Sequence, residues 1–423
     1  MLASAARSKP MRTLIHILIC TFCCAQILLA ENHLWVEAKI NRKPARLAFD
    51  TGAGQSIVLF RPAAERLGLK VHPYEGTAVG QIPFAATEKC TVKLRWSFWS
   101  VTRAIGELAL IEWPSHVTQE IEERFGQRGF DGYVGWGIVC HKIIELDASN
   151  QKFRLLHKVP KEAAGWRKFA LRKDWGILAL ATENPDGGKG VILVDTGSES
   201  GVGLAPQKWR DWRAAHINQP ARLIMGYMVQ TGLIVREQAW SDELSLGSLK
   251  LTDVVVEEAD TWSLDKTRTE HAATFGMAAL KRLDFIIDGK RGVAYLRPKR
   301  TPASPPSFEQ DRLALVFVPR SVQSDELVAQ VLDGSAAYAA GIRDGDVLLK
   351  LDERDVATWR AGPGEKWSVE PGDPFLTPSS NNPTGTKLAL TLKRDGDLLK
   401  ATIDLTEIAV LAPGTNSPPA HAK

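Results

Sequence analysis

The feature that most constrains this chain is a duplication. Ala48-Phe49-Asp50-Thr51-Gly52-Ala53 returns as Leu193-Val194-Asp195-Thr196-Gly197-Ser198, 145 positions later. A second landmark keeps nearly the same spacing: Gly132-Tyr133-Val134-Gly135 matches Ala273-Thr274-Phe275-Gly276. Twelve residues after each last glycine, an apolar run closes on an Asp, Asp147 or Asp288, and then turns into a final apolar segment. A pattern repeated in this order predicts two copies of one supersecondary unit in one chain. Short apolar runs separated by Gly, Pro and Asp make both copies β-rich, with strands expected at 34–40, 45–49, 92–96, 143–146, 191–194, 251–256 and 285–287.

Two identical Asp loops suit paired-carboxylate chemistry. Two carboxyl groups about 3 Å apart cannot both ionise, so they share one proton and titrate at separated values. The ionised member can then take a proton from water while the protonated member hydrogen-bonds a carbonyl oxygen. Gly52 and Gly197 allow a tight turn beside each carboxylate. Thr51 and Thr196 carry hydroxyls able to bond across to the opposite loop. Ala53 has no side-chain donor and Ser198 has one, so Asp195 is expected to ionise more easily than Asp50. Asp147 and Asp288 read as turn residues rather than acids of the mechanism.

These loops resemble the active-site loops of retropepsin-like aspartic proteases. Val134-Gly135 and Phe275-Gly276 are similar to the apolar-Gly segment that runs beneath the catalytic loop in that family. Both halves in one chain resemble the two-lobed, pepsin-type arrangement. The resemblance implies a mainly β fold with a lobe at 31–160 and another at 161–299, and a catalytic dyad of Asp50 and Asp195. It casts Thr51 and Thr196 as cross-loop braces and Gly52 and Gly197 as turn residues, with Ser198 supporting the second loop. It also implies polypeptide substrates, water as nucleophile, no metal and no cofactor. Flaps are expected near 76–82 and 226–232, with Tyr74 and Tyr227 nearby.

A Pro-rich linker, RTPASPPS, opens the segment 300–308 and leads to a further unit at 309–407. There Leu327–Leu332, Gly334-Ser335-Ala336-Ala337, Ala340-Gly341-Ile342, Gly345-Asp346 and a following apolar strand succeed one another. That succession resembles bacterial PDZ domains, which implies engagement of an extended or C-terminal peptide along a sheet edge; docking on the protease lobes and simply adding stability are the alternatives. Two departures stand out: a Gly-rich carboxylate loop is not evident, and a Gly/Pro-rich stretch at 361–383 replaces the groove-lining helix. Residues 408–423 read as a frayed tail.

Charge and cysteine count narrow the function further. Lys and Arg number 53 against 49 Asp and Glu, and Arg7, Lys9 and Arg12 supply three of the four excess charges. A basic nucleic-acid surface therefore has no support. Those three charges precede the apolar run at 14–30, a pattern that reads as an export signal at 1–30; an uncleaved signal anchor is the alternative. The expected location is periplasmic or secreted. Three of the five cysteines fall inside the signal, leaving Cys90 and Cys140 either as one disulfide or as two separate thiols. The whole reads as an exported, monomeric aspartic endopeptidase whose lobes pair within the chain. The other function class is a non-catalytic envelope scaffold that binds peptides through its C-terminal domain.

Overall fold

A computed structural model describes residues 34–54, 57–73, 84–96, 99–105, 108–111, 131–183, 187–228, 232–259, 269–299, 313–320, 326–358 and 387–404. The expected signal, the linker at 300–308, the tail, the flap segment 76–82 with Tyr74, and the stretch 361–383 lie outside these residues. The protein is mainly β, built on several sheets.

The first half opens with β1 (Trp35–Ile40), β2 (Lys43–Asp50) and β3 (Ile57–Phe60), followed by helix α1 (Arg61–Arg66). It continues through β4 (Val71–Pro73), β5 (Phe84–Thr87), β6 (Cys90–Trp96), β7 (Trp99–Ile105), β8 (Ala109–Ile111) and β9 (Gly132–Gly135). These nine strands make one sheet in the order β4-β5-β8-β3-β9-β2-β1-β6-β7. Side chains of β1 alternate between buried and exposed, as a strand with one solvated face requires. The end of β2 and all of β9 are buried on both faces, and those two strands run parallel, with Phe49 opposite Val134 and Asp50 opposite Gly135.

Next come β10 (Ile143–Asp147), β11 (Lys152–Leu156), β12 (Arg167–Ala170), β13 (Ala179–Glu183), β14 (Lys189–Val194) and β15 (Val202–Leu204), then helix α2 (Pro206–Ala215). Strands β16 (Ala221–Met228), β17 (Gly232–Leu246), β18 (Leu249–Glu258) and β19 (His271–Phe275) precede the short helix α3 (Met277–Leu280), and β20 (Leu283–Asp288) and β21 (Val293–Pro298) close the second half. One parallel pairing occurs twice. β14 runs parallel to β19 with Val194 opposite Phe275, as β2 does to β9. The final hairpins of the two halves share one sheet, β11-β10-β20-β21-β12, in which Ile143 lies opposite Asp288.

The C-terminal strands are β22 (Leu315–Pro319), β23 (Leu327–Val331), β24 (Val347–Leu351), β25 (Arg354–Asp355), β26 (Lys387–Arg394) and β27 (Asp397–Asp404), with helix α4 (Ala336–Ala339) after β23. They form a sheet in the order β22-β23-β24-β26-β27, with β25 on β24, over a core of Leu315, Phe317, Leu327, Leu348, Leu390 and Ile403. Ser335 caps α4 by accepting from the Tyr338 N–H at 3.1 Å.

The chain divides into two compact units. Among the described residues, the first holds those up to 205, 244–252 and those from 259 to 299; the second holds 206–243, 253–258 and those from 313 to 404. The hairpin β16–β17 up to Glu243 thus groups with the C-terminal strands, a division the sequence does not suggest. Cys90 and Cys140 are free thiols, and burial pushes the Cys90 thiol up. Among the described residues no helix is long and apolar enough to cross a membrane.

Candidate active site

Asp50 ends β2 and Asp195 follows β14, so each central strand delivers its carboxylate at the same point of the repeated unit. Both lie in the first compact unit, and they are 0% and 3% exposed. The helical turns that follow β9 and β19 explain why the loops turn where they do. Trp136 N–H and Gly137 N–H donate to the carbonyls of Ala53 and Gly54 at 3.0 and 3.2 Å. In the second half, Met277 N–H and Ala278 N–H donate to the carbonyls of Ser198 and Ser200 at 2.7 and 3.1 Å. Each loop therefore rests on the apolar-Gly segment of its own half. A Cβ at Gly135 would lie 2.1 Å from the Gly54 carbonyl oxygen, and one at Gly276 2.4 Å from that of Ser200, so neither position accepts a side chain.

The two loops are locked to each other by the threonines. Thr51 Oγ1 donates to the Val194 carbonyl at 2.7 Å and accepts from Thr196 N–H at 3.0 Å. Reciprocally, Thr196 Oγ1 donates to the Phe49 carbonyl at 2.6 Å and accepts from Thr51 N–H at 3.0 Å. Four bonds related by an approximate two-fold thus satisfy both hydroxyls and four backbone groups where water has no access. A fifth tie, Leu178 N–H to the Thr51 carbonyl at 3.1 Å, binds the first loop to the start of the second half.

That lock brings each glycine against the opposite carboxylate. A Cβ at Gly52 would lie 2.6 Å from Asp195 Cγ, and a Cβ at Gly197 would lie 2.7 Å from Asp50 Cγ. The two carboxyls are near enough that the charge of Asp195 bears on Asp50. Asp50 is held well above the usual carboxylate range, first by burial and then by that charge; the N–H groups of Ala53 and Gly52 oppose the shift. Ala53 N–H donates to Asp50 Oδ1 at 3.0 Å, whereas Asp50 Oδ2 is buried without a hydrogen-bond partner. Two ionised carboxylates offer no proton to each other, and one proton shared between them removes that conflict. Asp195 Oδ1 accepts from Gly197 N–H at 2.9 Å.

The inequality expected from Ala53 and Ser198 concerns both carboxyls; at Asp50 the shift is upward, and its first cause is burial. The Ser198 hydroxyl donates to Ser200 Oγ at 2.9 Å. Sequence reasoning missed Ser200, whose carbonyl also anchors Ala278, and the only signal was its place three residues after the Gly197 turn. Asp147 and Asp288 accept from the N–H three residues on, Asn150 at 3.3 Å and Arg291 at 3.1 Å, and so are turn residues at the hairpins β10–β11 and β20–β21. The backbone of the expected second flap is hairpin strand at 226–228, residues 229–231 lie outside the described residues, and the Tyr227 side chain is likewise outside them. Of the histidines, His271 on β19 is buried, and burial lowers it to about 4. Among the described residues no group of three or more His, Cys, Asp or Glu is placed to hold a metal ion. Compared with protein-family models and with curated proteins, the chain matches none.

Proposed function

We propose that this protein is an exported aspartic endopeptidase, with two retropepsin-like lobes and a C-terminal PDZ domain. The observation that carries this reading is the reciprocal packing of Asp50 against the Gly197 loop and Asp195 against the Gly52 loop, braced by Thr51 and Thr196. A turn-forming role for either Asp does not call for its carboxylate to be buried against a second one, since burying unpaired charge is costly. A proton-sharing dyad does.

In the proposed mechanism Asp50 starts protonated and Asp195 ionised. Asp195 takes a proton from water as its oxygen attacks the scissile carbonyl carbon, and the Asp50 hydroxyl hydrogen-bonds the carbonyl oxygen and transfers its proton to it. The resulting tetrahedral diol collapses when Asp195 returns its proton to the amide nitrogen and the C–N bond breaks. One hydroxyl of the diol then gives its proton to Asp50, restoring the starting state. No group outside the dyad and water is needed.

The test is hydrolysis of an unstructured polypeptide such as reduced casein by the mature protein, from acid to neutral pH. Asp50→Asn and Asp195→Asn should each abolish cleavage, and a peptide mimic with a central hydroxyl should block the wild type. Equal cleavage, or equal inactivity, of wild type and Asp50→Asn across that range overturns the proposal. Equal inactivity leaves the peptide-binding scaffold in its place.

A further inference from the structure

Hairpin β16–β17 belongs to the same compact unit as the C-terminal strands. β16 pairs only with β17, Ala221 opposite Ala239 through Met228 opposite Gly232, and so is the edge of its sheet among the described residues. β22 is likewise the edge of the C-terminal sheet, paired only with β23. These two edges lie side by side, with Cα atoms within 8 Å.

The C-terminal sheet has two apolar faces. Leu315, Phe317, Leu327 and Leu348 point into its own core. Val318, Val328 and Val347, one from each of β22, β23 and β24, form a row on the other face, since Val318 lies opposite Val328 and Val328 opposite Val347. Val235 of β17 packs on that row together with Leu349. The root of the hairpin is fixed by polar contacts in the same unit. Arg222 Nη2 donates to Gln238 Oε1 at 3.0 Å, Gln238 Nε2 to Glu257 Oε2 at 2.6 Å, and Arg213 Nε to Glu237 Oε1 at 2.5 Å.

An unpaired sheet edge beside an apolar face is what an incoming extended peptide needs. On the β22 side the protein's own hairpin lies beside the edge, and its Val235 covers the apolar row. We propose that the C-terminal domain is an intramolecular clamp: the β22 edge and the Val318–Val328–Val347 row hold the hairpin β16–β17, and an outside peptide gains that edge only by displacing it.

The experiment follows amide hydrogen exchange in the full-length mature protein carrying Val235→Asp or Val328→Lys. Exchange at 232–241 and in β22 should rise at least tenfold, while β20 at 283–288 keeps its protection. Unchanged exchange at 232–241 in both variants overturns the clamp. Should either variant lose protection everywhere, the milder Val235→Ala, Val328→Ala and their double variant decide. Non-additive effects on hairpin exchange support the contact, and additive effects overturn it. An extended fluorescent peptide ending in Val-Val-Val with a free carboxylate should bind Val235→Asp at least tenfold more tightly than wild type; equal binding counts against self-occupancy. Exchange is read without any activity, so failure of the clamp is separable from failure of the protease reading, which Asp50→Asn and Asp195→Asn decide.

Discussion

The two Asp-Thr-Gly loops share a backbone and differ in what surrounds the carboxylate. Asp50 is wholly buried, with Oδ1 on the Ala53 N–H and Oδ2 without a partner. Asp195 retains 3% exposure and is followed by a serine pair, Ser198 and Ser200. The shared part is the scaffold: parallel strands, a glycine that leaves room for the opposite carboxylate, and a threonine that bonds the opposite strand. The differing part includes the burial that holds the Asp50 carboxyl above its usual range. Near-symmetry brings two acids together, and on the proposed protease reading the small local asymmetry would divide the work between them.

The largest expected effect breaks the pair outright. Asp50→Asn and Asp195→Asn should each lower casein hydrolysis by about 10⁴-fold or more, because the dyad acts as a unit. Their stabilities should differ, which sharpens the comparison. A carboxyl held above its unfolded value contributes stability at low pH that is lost as pH rises through the folded value. Asp50 is such a group, so Asp50→Asn should melt higher than wild type at pH 7 and lose that advantage in acid. Scanning calorimetry at pH 3 and pH 7 checks this, and an equal or lower Tm at pH 7 contradicts it.

Next in size are the glycines. Gly52→Ala and Gly197→Ala set a Cβ at 2.6 and 2.7 Å from the opposite Cγ, so the loops must part by about 1 Å. Misplacement of that order costs roughly 10²-fold in rate. If the halves are equivalent in scaffold, the two variants lose kcat equally on casein-derived peptides; a large inequality shows that one loop yields more readily.

The threonine braces follow. Thr51→Val and Thr196→Val each strand a buried carbonyl and a buried N–H, costing about 3 kcal/mol of stability, whereas Thr→Ser keeps the bonds. Urea unfolding should show the double valine variant less destabilised than the sum, since all four bonds belong to one network.

The smallest effect separates the halves by pH. His271 on β19 is buried and lowered to about 4, with Nε2 3.0 Å from Thr274 Oγ1, while β9 carries no histidine. A histidine depressed below its unfolded value of 6.5 contributes stability above that pH and loses it as pH falls through about 4. The stake is roughly 3 kcal/mol. His271→Gln should flatten the loss of Tm between pH 6.5 and 4; an unchanged slope removes this role.

Much of the fold and the site was legible because the repeat carries both. The strand–Asp-Thr-Gly–strand–Gly order located β2, β9, β14 and β19 and named both carboxylates, since a tight turn and a buried parallel strand leave strong marks on residue choice. The C-terminal strands were legible for a similar reason: apolar runs bounded by Gly-Asp and Arg-Asp-Gly-Asp turns coincide with β24, β26 and β27. Ser200 and His271 left no mark. A serine in a polar loop and a histidine opening an apolar run look the same whether or not they are buried.

The sequence by itself determined the repeated Asp-Thr-Gly pattern and the mainly β character, because local patterning and turn chemistry act over a few residues. Only the tertiary structure decided three other matters. It paired each threonine with the backbone of the opposite loop, buried Asp50 so that its carboxyl is held above the usual range, and grouped the hairpin β16–β17 with the C-terminal strands around Val235. Those outcomes depend on contacts between segments tens to hundreds of residues apart, and their free energies arise from desolvation and packing that no local pattern records.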